Sequence, residues 1–315
     1  MIPKIATREA YGKTLVKLGQ DNPDIVVLDA DLSKSTTTHL FAKEFPERFF
    51  ECGIAEQNMM GIAAGMAAAG KVPFASTFAV FATSRCFDQI RVSIAQPRLN
   101  VKIVASHGGI TVGEDGASHH AIEDLSLMCS LPGFNVIVPA DAIETAQAVM
   151  AAARLRGPFY IRCGRPPVPL VHDENYEFIL GKARTMREGP DATIIAIGIM
   201  VEAALKAAAD LVHEGIGCRV LNMSTLKPLD IDAVLCAARD TGAIVTAEEH
   251  LLQGGLGSAV AQVVAEENPV PMAFIAIRDA YSKSGRPDEL LQQHNLTPEA
   301  VAQAVRNVVA RKKRS

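Results

Sequence analysis

Short apolar runs rich in Val, Ile and Leu recur along the whole 315-residue chain, each followed by a polar or glycine-bearing loop and a stretch of helical length. In the first half they fall at 25–28, 72–76, 101–105, 135–139 and 158–162; in the second, at 193–197, 218–222, 243–247 and 273–277. Runs this continuous are strands buried on both faces, and strands alternating with helices build mainly parallel sheets covered on both sides. The fold class that follows is α/β, with two doubly wound three-layer α/β/α domains. A chain of this length buries two cores of ordinary size. The segment Cys163-Gly164-Arg165-Pro166-Pro167-Val168-Pro169-Leu170 cannot continue the centre of a sheet. The expected organisation is therefore a first domain over 1–170, a linker over 171–190 and a second domain over 191–315.

Periodicity predicts helices over 7–20 with Thr7 as cap, over 84–95, over 141–154 with Asp141 as N-cap, and over 297–309. A net charge of −4 gives no global attraction to nucleic acid, and the basic tail Arg311-Lys312-Lys313-Arg314 reads as a solvated end. No apolar stretch has membrane-spanning length and the N-terminus lacks a signal-peptide core, so a cytoplasmic protein without membrane or nucleic-acid partners is expected. The six Cys are scattered without CxxC spacing and read as reduced, mostly buried residues. Gln253-Gly254-Gly255-Leu256-Gly257 does not fit GxGxxG. Glu248 to Leu252 separate it from its strand, so it reads as a tight turn into a helix.

Chemistry-bearing residues gather where loops follow strands, the place where ligands collect in open α/β sheets. Glu56 sits in Phe49-Phe50-Glu51-Cys52-Gly53-Ile54-Ala55-Glu56-Gln57-Asn58-Met59-Met60, at a strand-to-helix junction ahead of the small-residue helix 61–70. An acid there stabilises a helix N-terminus through the dipole. In dry surroundings it also keeps its proton and donates a strong hydrogen bond to a heteroaromatic nitrogen. The polar loop 29–38 after the first strand holds Asp31 and Ser35. Phe78 and Phe81 follow the strand at 72–76 and suit either a core or an aromatic wall. The glycine-rich loop 106–124 carries His107, His119 and His120 with Asp115. It has no HExxH-type pairing and adjacent His residues point apart, so no metal site is expected. Several convergent donors and acceptors suit a polyol instead.

Three strings in fixed order, GIAEQNM, STFAVF and GEDGAS, span the first half. Through them the chain closely resembles transketolase, specifically the half that binds the aminopyrimidine ring of thiamine diphosphate and the C-terminal domain that follows it. The resemblance implies that Glu56 hydrogen-bonds a pyrimidine nitrogen, that Phe78 and Phe81 flank the ring and that Asp31 approaches the cofactor. It assigns His107 and His119 to substrate oxygens and proton transfer, Asp115 to a substrate hydroxyl, and Arg8, Ser35 and Arg165 to a sugar phosphate. Ser84 stands where some relatives have tyrosine. The GDG motif that holds diphosphate and Mg2+ in such enzymes does not occur. The resemblance therefore implies an amino-terminal partner subunit holding the metal and diphosphate, a heterotetramer of two plus two, and self-association of the lone chain. The implied reaction moves a two-carbon ketol unit from a ketose phosphate to an aldose phosphate, as in pentose phosphate metabolism. Competing readings are a transketolase for an unusual sugar phosphate, a 2-oxoacid dehydrogenase beta subunit, a deoxyxylulose-phosphate synthase and a non-catalytic binding module.

Overall fold

The computed structural model describes residues 3–312. Its strands, in chain order, are β1 (Lys4–Ala6), β2 (Ile25–Asp29), β3 (Phe49–Glu51), β4 (Val72–Ser76), β5 (Lys102–Ala105), β6 (Asn135–Ile137) and β7 (Phe159–Arg162). The second half adds β8 (Pro167–Pro169), β9 (Arg184–Arg187), β10 (Ala192–Ala196), β11 (Cys218–Asn222), β12 (Thr225–Lys227), β13 (Ile244–Leu251) and β14 (Met272–Ile277). A seven-stranded sheet runs β12-β6-β7-β5-β4-β2-β3 and a five-stranded sheet β14-β13-β10-β11-β9, while β1 and β8 form an antiparallel pair. Within the larger sheets every pairing is parallel except β12 with β6 and β9 with β11. Helices cover both faces, so the chain is α/β with two layered domains.

The two-sided burial of β2 follows directly from the period of two along a strand. Ile25 and Val27 join Tyr11, Leu15 and Leu18 of the helix Thr7–Asp21 on one face. Val26 and Leu28 join Met59, Met60 and Ala63 of the helix Glu56–Ala68 on the other. Each such fully buried Leu or Ile stabilises the fold by about 1.5–3 kcal/mol. The second of these clusters continues through Ile195, Leu221, Leu226, Val234 and Val260, so one apolar core crosses from the first domain into the second.

Several local expectations are revised. Asp141 does cap its helix, accepting from the Glu144 backbone N–H. Thr7 does not cap; its Oγ1 accepts from Gly164 N at 2.8 Å, tying the start of the first helix to the proline-rich segment. The helix expected from Ser84 begins at Phe81 and is built of two wide π-helical turns, Phe81–Arg85 and Ile90–Ala95, flanking Phe87–Gln89. The polar triplet Glu248-Glu249-His250, read from sequence as following its strand, lies inside β13 and is buried. It is tolerated there because each group finds a partner: His250 Nδ1 is hydrogen-bonded to the Leu251 carbonyl at 2.7 Å, and the partners of the two acids are set out below. The stretch 171–190 contains β9, an edge strand of the second sheet, and β12 from the second half completes the first sheet. The helix Glu56–Ala68 buries only one face; a Cβ at Gly61 or Gly65 would meet nothing within 4 Å. Among the described residues no helix is long and apolar enough to cross a membrane.

Candidate active site

Loops at the carboxyl ends of β2, β4, β5 and β7 come together on one edge of the seven-stranded sheet. Beyond β4 and β5 the backbone pairing persists as a parallel bridge between Phe78 and Ser106. Ser106 N donates to Thr77 O at 3.1 Å and Ala79 N to Ser106 O at 2.8 Å. That bridge fixes two loops side by side and sets the next side chains face to face. The His107 imidazole stacks on the Phe78 ring with centroids 3.8 Å apart, and Phe78 lies nearly parallel to Phe81 at 5.8 Å. His119 stands edge-on to both phenyl rings, 5.3 Å from Phe81 and 6.3 Å from Phe78. His120 points the other way, buried, with Nε2 hydrogen-bonded to Gly113 O at 3.0 Å. Of the adjacent pair, His119 is therefore the one that faces the aromatic row.

His107 is buried, and its backbone adopts φ 60°, a left-handed conformation uncommon outside glycine. Burial, together with the positive charges of Arg8, Arg165 and His119, pulls its pKa down to about 3. At neutral pH it is an uncharged imidazole, hydrogen-bonded through Nδ1 to Ser106 Oγ at 2.9 Å, and able to accept a proton or a hydrogen bond.

Glu56 opens its helix at the other end of this row and is 3 % exposed. Its surroundings are not purely apolar. Arg85, at the end of the first π-helical turn, donates from Nη1 to Glu56 Oε1 at 2.6 Å, and its guanidinium lies 4.5 Å over the Phe81 ring. Arg85 stands four residues after Phe81, on the same face of the helical turn, and no local motif marks it in the sequence.

The anionic-terminus residues converge as well. Arg8 donates from Nη1 to the Ser35 carbonyl at 2.6 Å and from Nε to the Arg165 carbonyl at 3.3 Å. Arg165 donates from Nη1 to the Val112 carbonyl and lies 3.6 Å from carboxylate oxygens of both Glu114 and Asp115. Asp115 thus sits in the same cluster, while Ser35 takes part through its backbone. Asp31 is tied elsewhere, with φ 60° and its N–H donating to Glu51 Oε1 at 2.7 Å. The loop carrying Asp31 and Ser35 is held by a residue the sequence reading did not single out. Asp29, fully buried, accepts from Leu32 N, Thr36 Oγ1 and Thr38 Oγ1 at 2.7, 2.7 and 2.8 Å. Burial raises its pKa to about 6 against the pull of those three bonds.

Beneath the histidine loop stands a second set of residues that was not anticipated. Arg162 is buried, lies 3.0 Å from Asp124 Oδ2 as an ion pair, and donates to the carbonyls of Ala121 and Glu249. Tyr160 OH donates to the same Asp124 oxygen at 2.7 Å. Glu249, on β13 of the second domain, accepts from Thr111 N at 2.7 Å. Its neighbour Glu248 accepts from Leu256 N and Gly257 N, and burial raises its pKa to about 7. The glycines of the loop serve this pillar. A Cβ on Gly109, at φ 79°, would lie 2.1 Å from the Glu249 carboxyl carbon, and one on Gly108 would lie 2.2 Å from Arg162 Nε. These two positions make room for the side chains that support the loop.

An acid at a helix start beside aromatic faces, with a neutral imidazole and two guanidinium groups further along, thus lines the carboxyl ends of these strands. Comparison with known proteins carries this further. A family model described as "Transketolase, pyrimidine binding domain" matches residues 3–169, and one described as "Transketolase, C-terminal domain" matches 181–301. The chain belongs to the transketolase family, and it comprises the pyrimidine-binding and C-terminal domains of that family. It is 43% identical over 305 residues to the 6-deoxy-6-sulfo-D-fructose transketolase subunit SqwH of Clostridium sp. (strain MSTE9), covering 97% of this chain and 95% of that protein. It is 42% identical over 312 residues to human transketolase, covering 98% of this chain but 50% of the human protein. A solved structure titled "Split gene transketolase, inactive beta4 tetramer" superposes with a TM-score of 0.92 at 55% identity, covering 98% of this chain and 99% of that one.

The family implies thiamine diphosphate, and the donor set fits one end of it. Glu56 and the Phe81 face together hold one flat, nitrogen-edged group, the Arg85 guanidinium, and a flat aminopyrimidine calls for the same two neighbours, a carboxyl at a ring nitrogen and an aromatic face.

Proposed function

We propose that this chain is the pyrimidine-side subunit of a two-subunit transketolase that moves a two-carbon ketol unit between sugars with anionic termini. The observation that carries the proposal is the continuous row from Glu56 to Phe81, Phe78 and His107, with His119 on its edge. Thiamine diphosphate, when bound, supplies the nucleophilic carbon that breaks and remakes the carbon–carbon bond. Glu56 hydrogen-bonds the pyrimidine ring and fixes its tautomer, and Phe81 and Phe78 exclude water from its face. His107, uncharged and buried, takes a proton from a substrate hydroxyl or holds it in place; His119 serves the neighbouring oxygen. Asp115 orients a further hydroxyl.

Arg8 and Arg165 anchor the substrate's far end. Planar guanidinium groups grip a phosphate or a sulfonate through paired hydrogen bonds, so this end selects for negative charge more than for one sugar. The Clostridium relative is named for a sulfonated sugar. Diphosphate and Mg2+ are assigned to an amino-terminal partner subunit, because the sequence contains no GDG motif. Two of each subunit form the assembly in this reading. The open face of the helix Glu56–Ala68, with Gly61 and Gly65 uncovered and Ile54 79 % exposed just before it, suits close packing against a further chain. Six unpaired thiols fit a reducing compartment such as the cytoplasm.

The test is co-expression with an amino-terminal transketolase subunit and assay of ketol transfer from xylulose 5-phosphate to ribose 5-phosphate, with thiamine diphosphate and Mg2+. Activity in the mixture alone, and its loss in Glu56→Gln, is the expected result. A stable, cofactor-binding complex inactive on these sugars but active on a sulfonated ketose redirects the substrate assignment. A complex that binds no cofactor sinks the reading.

A further inference from the structure

Arg85 occupies a position that nothing in the reading above uses. Its guanidinium touches the two groups assigned to the cofactor's aminopyrimidine ring, donating to Glu56 Oε1 at 2.6 Å and lying 4.5 Å over Phe81. Both contacts engage groups the ring itself would use: the Glu56 carboxyl, whose partner in the ring is a nitrogen, and the Phe81 face, against which a flat π-system lies. The backbone beneath is fixed. Gln57 Nε2 donates to the Arg85 carbonyl at 3.1 Å, and Cys86 Sγ donates to the Phe81 carbonyl at 3.4 Å. The residue ends a π-helical turn, Phe81–Arg85, an irregularity that recurs at functional sites. The side chain is 46% exposed, whereas that of Glu56 is 3% exposed. One end of the pair is therefore anchored in the protein, and the other is free to swing into solvent without any movement of the backbone.

We propose that Arg85 is a placeholder latch: in the cofactor-free chain its guanidinium fills the aminopyrimidine place, and it swings out when the ring arrives. The proposal rests on the reading of Glu56 and Phe81 as the residues that hold the ring. The latch keeps a buried carboxylate from standing unpaired before the cofactor binds, a state that is strongly unfavourable. Its cost is competition, since the ring must displace an ion pair to reach Glu56. Arg85 is thus a positioning residue that sets how readily the subunit accepts cofactor.

Two measurements test this on the two-subunit complex and on the lone chain. Calorimetric titration of the complex with thiamine diphosphate and Mg2+ should give binding about threefold or more tighter for Arg85→Ala than for the parent, because the competing pair is gone. Arg85→Met, which keeps most of the side chain's bulk, should behave alike and guards against misfolding of the first variant. Thermal melts of the lone chain should fall by about 2–4 °C in Arg85→Ala, and less when Glu56→Gln is already present. Unchanged or weaker cofactor binding in both variants overturns the latch while leaving the functional reading in place, since the parent complex still binds. No binding by the parent or either variant overturns the functional reading and the latch with it. Binding by the variants but not by the parent supports the latch in its strongest form.

Discussion

The imidazole of His107 lies flat on the ring of Phe78, 3.8 Å between centroids and 21° from parallel. This contact joins the loop after β4 to the loop after β5, and so links the pair of phenyl rings to the histidine proposed to meet the substrate. It also explains how a histidine comes to be both buried and uncharged: a ring on one side and three positive groups around it leave no favourable place for a proton.

His107 therefore carries a definite pH signature. Its folded pKa of about 3 lies below the unfolded value near 6.5, so between those limits the unfolded chain binds the extra proton. The stability it contributes is fully present above pH 6.5 and declines by about 1.4 kcal/mol per pH unit as pH falls toward 3. His107→Phe preserves a ring against Phe78 and removes the titration. Urea melts between pH 4 and 7 should then fall off less steeply for the variant than for the parent. Parallel slopes would contradict the assignment.

Asp29 governs the loop that presents Ser35. Replacing it with Ala leaves Leu32 N and two threonine hydroxyls without their acceptor, a loss of about 2–3 kcal/mol. We expect a lower melting temperature and a raised KM for phosphorylated substrate. Normal kinetics in the folded variant would show that the loop holds its shape without Asp29.

Arg162 is a buried cation under the histidine loop whose bonds reach both domains. Arg162→Leu strands Asp124 as a buried carboxylate and releases the Glu249 and Ala121 carbonyls, at a cost of about 3–5 kcal/mol. Denaturation should become less cooperative, with the second domain reporting separately by fluorescence of a probe on a surface cysteine. A variant as stable as the parent would mean that the apolar core alone holds the domains together.

At the substrate's far end, Arg8→Ala or Arg165→Ala should raise KM for a phosphorylated ketose by about tenfold or more, with a smaller change in kcat. An unphosphorylated ketose should be nearly indifferent to either change. Equal losses on both substrates would place these residues in the architecture of the site and not in recognition of the anion.

The layered architecture was legible because β-branched runs and helical stretches alternate so regularly; Glu56, Phe78, His107 and Asp115 stood out because they fall in or beside three recognisable strings, and Arg165 only through the resemblance those strings carry. What escaped shares a physical character. Arg85 meets Glu56 across 29 residues of sequence, a pairing no local pattern reveals. Arg162, Asp124 and Glu249 form a buried set whose members are far apart in sequence, so local pattern says nothing of their pairing. Glu248, Glu249 and His250 were read as following their strand since polarity normally signals exposure, whereas here a helix start and a loop amide satisfy the two acids and the Leu251 carbonyl the imidazole. Asp29 offered one clue, an acid at a strand end followed by three threonines, which only the folded loop turns into a hydrogen-bonded knot.

The three-residue strand β12 crosses from the second half of the chain to lie antiparallel on β6, pairing Thr225 with Ile137 and Lys227 with Val136. Its effect reaches beyond local pairing. A protein cut anywhere in 171–190 would yield a first fragment whose sheet ends in a bare β6 edge, open to any other strand it met. Expression of the halves as separate polypeptides should therefore give aggregation or obligate reassociation, and recombination that exchanges one domain for a cousin's must also exchange this borrowed strip. The two domains are modular in outline but inherited as one piece.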